Sequence, residues 1–197
     1  NPVFGTLLSS ASLGFTYAIN SRENKLTPWI NDTKTDNRGE LLLLKFGDCC
    51  FDLVLGSQAN FSVDKAVYIG STEFFKNKVT VEVSKTGCCK KISLELMWLS
   101  DTSDCKIAYY TEPVLSVSRD NSRLIKTEIY DSSLLINNPS RTEISGFMAL
   151  SSNESFTATT NREAILSGNF DDTGISPQNN PCAALVVDKR LKKNNKV

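Results

Sequence analysis

Histidine is missing from all 197 residues of this chain, and that one absence removes most of the familiar reactive constellations. Without imidazole there is no Ser-His-Asp triad, no Cys-His nucleophile pair, no imidazole-bound metal and no unperturbed side chain that titrates near neutral pH. Carboxylate and lysine chemistry survive the cut. Six cysteines are present, Cys49, Cys50, Cys88, Cys89, Cys105 and Cys182. Sequons at Asn31, Asn60 and Asn153 fit a secreted, disulfide-bonded chain, whereas free cysteine is equally a small buried hydrophobe of a reduced protein, and both readings stay open. The adjacent pairs Cys49-Cys50 and Cys88-Cys89 lack the two-residue gap through which thiolates converge on zinc, so no metal and no other cofactor is expected.

Asp172-Thr173-Gly174 spells the triplet of aspartic proteases, but a shared-proton carboxylate pair needs two such loops and the chain has one. A glycine turn is the simpler reading. Asp101-Thr-Ser-Asp104 lacks the ligand spacing of a calcium loop. Trp98 ends an alternating strand and reads as core, with a sugar-stacking platform as its functional alternative. With no carboxylate pair in a supporting motif, the chain is expected to bind a ligand or receptor at its surface and not to be an enzyme. The rival is a glycan hydrolase carrying two carboxyl groups roughly 5–9.5 Å apart in one cleft.

The elements that must position such a surface read as strands. Lys78–Lys85 and Ile92–Leu96 alternate apolar and polar residues with period two, and Leu41–Phe46 and Cys50–Leu55 are denser apolar runs around a Gly47-Asp48 turn. Further strands are expected at Val63–Ile69, Lys106–Tyr110, Val114–Ser118, Leu124–Tyr130, Leu134–Ile136, Ile144–Leu150, Ala164–Leu166 and Ala183–Asp188. Polar loops separate them, which predicts an all-β chain: a single antiparallel β-sandwich of about ten strands over Leu26–Asp188, with little helix. Residues 1–25 read as an extended lead-in and Lys189–Val197 as a frayed basic tail. Lys+Arg and Asp+Glu are equal at 22 each, which disfavours a nucleic-acid partner. No apolar run approaches the roughly 18 residues of a membrane span, and the N-terminus lacks the basic start and apolar core of a signal peptide, so no membrane insertion is expected.

Lys25-Leu-Thr-Pro-Trp29 resembles the Leu-Thr-Leu-Trp segment at the shaft-to-head junction of adenovirus fibre proteins. Leu13–Asn20 before it is similar to shaft sequence, Gly39–Asp48 to the family's apolar second strand, and Ile144–Leu150 with Asn161–Leu166 to its Gly-Phe-Met segment and a following strand. The resemblance implies a homotrimeric head on a virion surface that binds a host cell-surface receptor, protein or sialylated glycan. It also implies thiol cysteines and unoccupied sequons. Receptor contacts then fall on the loop Asn31–Glu40, where Asp32, Lys34, Asp36 and Arg38 are the candidates and Lys34 or Arg38 would pair an acidic sugar. The alternative is a secreted, disulfide-bonded viral or parasite glycoprotein that binds a host immune ligand.

Overall fold

The computed structural model describes residues 1–32, 38–152, 154–177 and 180–197. Its elements are β1 (Phe4–Ser9), β2 (Ser12–Ala18), β3 (Glu40–Phe46), β4 (Cys49–Asp52), β5 (Gln58–Phe61), β6 (Lys65–Ser71), β7 (Phe75–Val83), β8 (Lys90–Trp98), β9 (Ser103–Thr111), a 3-10 helix (Arg119–Leu124), β10 (Lys126–Tyr130), β11 (Ser133–Asn137), β12 (Ser145–Ala149), β13 (Thr157–Thr159), α1 (Arg162–Leu166) and β14 (Ala183–Leu191). The all-β, sandwich-type expectation holds. The strands form a β1-β2 hairpin, a three-stranded β10-β11-β12 sheet, a four-stranded β5-β6-β7-β8 sheet and a five-stranded sheet ordered β13-β14-β9-β3-β4, all paired antiparallel. No helix among the described residues is long and apolar enough to cross a membrane.

The five-stranded sheet is covered on both faces, which is why β3 reads Leu41-Leu-Leu-Leu44 without alternation. Leu42 and Leu44 point to one face, where they meet Val79, Val81, Leu96 and Trp98 of the four-stranded sheet. Further along the same face, Ala183 and Leu185 pack against Leu134, Ile136 and Met148 of the three-stranded sheet. Leu41 and Leu43 point the other way, with Ala108 and Val186, under Ile165 of α1 and Phe170. Register enforces this split: Leu43 lies opposite Ala108 and Leu42 opposite Tyr109.

Three local expectations are corrected. Ala164–Leu166 lies in α1 and not in a strand, because Asn161 caps a helical turn by accepting the Ala164 amide at 3.1 Å. Val114–Ser118 forms no strand; its backbone joins the chain through a bridge between Ser116 and Lys25 and the amide of Val114 bonded to Leu26 O, while Leu115 is buried in the core. The lead-in is a packed hairpin whose Leu13 is fully buried, and Gly14, at φ +77, makes its bend; a Cβ there would run into the Leu7 carbonyl.

The basic tail is also not frayed. Strand β14 runs on to buried Leu191, and the last residues lie along β8, with Val197 and Leu96 exchanging both backbone hydrogen bonds at 2.7 and 2.9 Å. This covers an edge that would otherwise present unpaired amides and carbonyls. Lys196 and Lys78 flank Glu95, at 2.8 and 2.6 Å, and their hydrogen bonds hold its carboxyl down at about 2.

The two-sided burial of β3 sets the first test. Replacing Leu44, fully buried between sheets, by alanine should destabilise the fold by about 2–5 kcal/mol. The same change at Ile69, half exposed on β6, should stay within about 0.5 kcal/mol. Urea unfolding of the two variants checks the contrast.

Candidate functional site

The charged groups with chemical potential are two buried carboxylates, one serving each face of the central sheet. Glu40 opens β3 on the face of Leu42 and is 1% exposed. Its Oε1 accepts hydrogen bonds from the hydroxyls of Thr16 (2.7 Å) and Thr27 (2.8 Å), and its Oε2 accepts from Lys90 Nζ (2.7 Å) and the Tyr109 hydroxyl (2.7 Å). Lys90, the first residue of β8, also donates to Leu13 O at 2.6 Å and lies 3.2 and 3.3 Å from the hydroxyls of Thr6 and Thr16. Burial, then the adjacent Glu40 charge, pushes the Tyr109 hydroxyl well above its ordinary value, so it remains a donor. With two donors on each oxygen, Glu40 has no free lone pair for a substrate proton.

Glu112, just beyond β9, occupies the equivalent place on the other face. Its Oε1 accepts from the Tyr110 hydroxyl at 2.7 Å and from Arg162 Nη2 at 2.7 Å and Nε at 3.0 Å, while Oε2 is ion-paired with Arg119. Asn161 sets the direction of Arg162 by capping α1. Burial, then the nearby Glu112 charge, pushes the Cys182 thiol up to about 12.

Of the residues expected to contact a partner, Lys34 and Asp36 lie outside the described residues. Asp32 is exposed at one end of the loop, and Arg38, at the other, is ion-paired with Asp52. Asp52 Oδ1 meanwhile accepts the amides of Val54 and Leu55 at 2.9 and 3.1 Å. The Arg38 charge is thus already paired within the chain. The loop is closed at its neck, where a Cβ on Gly39 would stand 2.5 Å from Pro28 Cδ. Just inside that neck Trp29, half-buried, stacks on Phe15 with centroids 4.7 Å apart and planes at 8°, and Phe15 meets Tyr17 at 5.8 Å.

Trp98 is core, 1% exposed, its indole N–H donating to Asp101 O at 2.7 Å. Asp172 accepts from the Asn161 side-chain amide at 2.7 Å in a turn and faces no second carboxylate among the described residues. No group of three or more metal-ligating side chains converges among the described residues. All six cysteines are free thiols, with Cys105 and Cys182 buried and the other four exposed. Sequence reasoning missed Glu40, Lys90, Glu112 and Arg162. A charge at the head of a four-leucine run was the one available signal, and nothing in Cys89-Lys90-Lys91 distinguished the buried lysine from the exposed one.

The sequence model of the glycosyl hydrolase 94 supersandwich domain matches residues 1–196. No curated protein matches the chain. The match overturns the resemblance to adenovirus fibre heads, and with it the viral attachment function, the virion-surface location and the immune-ligand alternative. The structure supplies the reason the motif misled. Lys25–Trp29 does not join a shaft to a head but is stitched into one body, Leu26 N to Thr16 O at 2.8 Å, Val114 N to Leu26 O at 2.8 Å and the Thr27 hydroxyl to Glu40.

Two outcomes follow. Lys90→Met, which leaves Glu40 buried beside a neutral neighbour, should cost about 3–5 kcal/mol, and adding Glu40→Gln should recover a large part of it; urea unfolding of the single and double variants reads both. The Cys182 thiol is held above its ordinary 9.0, so as pH rises from 9.0 towards about 12 the unfolded chain loses a proton that the folded chain keeps. Stability should therefore fall across that window by up to about 1.4 kcal/mol per pH unit, and Cys182→Ala should flatten the slope.

Proposed function

The chain belongs to the glycosyl hydrolase 94 supersandwich domain family, and on that premise we propose that it is a non-catalytic domain of a carbohydrate-active protein, contributing a glycan-contact surface and not reacting groups. The observation that carries the reading is the internal engagement of both buried carboxylates: Glu40 accepts from four donors, and Glu112 accepts from Tyr110 and Arg162 at Oε1 while its Oε2 is ion-paired with Arg119. Neither is free to protonate a glycosidic oxygen or to activate water, as a two-carboxylate hydrolase requires.

The contact surface proposed is the neck of the loop that follows β2. Trp29 rests one face on Phe15, so its remaining exposure is on its other face and edge, the presentation on which a pyranose ring stacks. Arg38 and Asp52, mutually neutralised beside it, offer donors and acceptors suited to hydroxyls and favour a neutral sugar. Asp32, exposed at the start of the loop, extends the same surface in this proposal.

Incubation of the purified chain with a panel of neutral oligosaccharides should give no hydrolysis, and affinity electrophoresis in glucan gels should show retardation that Trp29→Ala reduces about three- to tenfold. Turnover that disappears in Glu40→Gln or Glu112→Gln would overturn the non-catalytic reading. Retardation indifferent to Trp29→Ala would overturn the contact surface.

A further inference from the structure

We propose that the cavity between the central sheet, the three-stranded sheet and the β1-β2 hairpin is a ligand site for a medium-length alkyl chain ending in a hydroxyl or ether oxygen, with the Thr111 hydroxyl as its hydrogen-bond partner. The cavity has a volume of about 340 Å³. That is room for about ten water-sized groups at roughly 30 Å³ each. Its walls are the apolar side chains that the register brings to one face, Leu42, Ile107 and Leu185 from the central sheet, closed by Leu115, Ile136 and Met148.

Of the buried polar side chains in the wall, all but one are already engaged. Glu40, Lys90, Tyr109, Thr16 and Thr27 satisfy one another as described above. Thr111 stands opposite Glu40 on the same face, is 4% exposed, and its Oγ1 has no hydrogen-bond partner among the described residues. Pro113, also in the wall, carries no N–H that could reach it. A buried hydroxyl left without a partner destabilises the folded chain, and one ligand oxygen placed there removes that cost.

The wall chemistry selects the ligand class. A free sugar would bring several hydroxyls to a mostly aliphatic wall with one unpartnered buried hydroxyl, and an isolated water needs about two to four polar partners. A chain of about eight carbons with one terminal oxygen fills the apolar volume and meets Thr111. Such a chain reaches the site as a free alcohol or as the alkyl aglycone of a glycoside, and the two sources share this chemistry.

Isothermal titration of the full chain with 1-octanol, and separately with octyl β-glucoside below its micelle concentration, tests the inference. Saturable one-to-one binding of 1-octanol is expected. Thr111→Val should weaken it about fivefold, one hydrogen bond's worth, and raise the melting temperature of the unliganded chain. Saturation by 1-octanol alone assigns free alcohols, and saturation by both probes adds alkyl glycosides. Gly146→Leu should abolish binding of either, since a Cβ there stands 3.7 Å from Leu115 Cδ2 and 3.8 Å from Ile136 Cβ and so directs the new side chain at two wall residues. Trp29→Ala should leave the titration unchanged, which separates this site from the glycan-contact surface. Absence of saturation with the wild-type chain, saturation by the glucoside alone, or equal affinity in Thr111→Val would overturn the proposal.

Discussion

A carboxylate at the head of a strand whose next four residues are leucines is the constraint on which this fold turns. Glu40 cannot lean towards solvent, because β3 is an interior strand and both faces of its sheet are covered. An ionised group so placed is tolerated only when its charge and its lone pairs are matched. The match comes from four separate stretches of chain: Thr16 of the hairpin, Thr27 of the connection, Lys90 at the start of β8 and Tyr109 of β9. Lys90 in turn ties down the hairpin through Leu13 O. One side chain therefore fixes how the hairpin and the four-stranded sheet sit on the central sheet, and apolar burial alone, being non-directional, would leave that placement loose.

Glu112 repeats the arrangement across the sheet. Tyr109 and Tyr110 are neighbours in β9, so their hydroxyls emerge on opposite faces, one to Glu40 and one to Glu112. The second hub gathers the 3-10 helix through Arg119 and α1 through Arg162, which places the covering layer over Leu41, Leu43 and Val186. Thr111 lies between the two hubs in sequence and belongs to neither. Its hydroxyl has no hydrogen-bond partner among the described residues and, unlike Glu112 Oε2, no ion pair to engage it.

This division bears on function. In the proposed reading the two buried acids are structural, since both are held by groups of the chain itself, although a buried carboxylate beside tyrosine and lysine would otherwise invite a catalytic reading. The recognition proposed for this chain falls to groups that are partly open, Trp29 over Phe15 at the loop neck and the apolar cavity beside Thr111. The two differ in chemistry, a flat aromatic face against a largely aliphatic wall, and so suit different classes of ligand.

Local pattern determined the all-β class, the β3-β4 turn at Gly47-Asp48 and the cores of β7, β8, β11 and β12, because alternation and turn chemistry are properties of a few consecutive residues. The absence of histidine likewise limited the chemistry before any coordinates. Pattern misassigned Ala164–Leu166, whose three apolar residues carry no period and whose helix depends on the Asn161 cap. It also took the lead-in and tail for loose ends. Gly14's bend, Leu13's burial and the pairing of Val197 with Leu96 all depend on residues far away in sequence. The candidate site was the least legible part: Glu40, Thr111, Lys90 and Tyr109 come from three strands, and only register and sheet packing set which hydroxyl meets which charge. Composition and short-range pattern decide what a segment can become; which charges must be buried together, and which hydroxyl is left unpaired, is decided by tertiary packing, since desolvation exists only once the layers close.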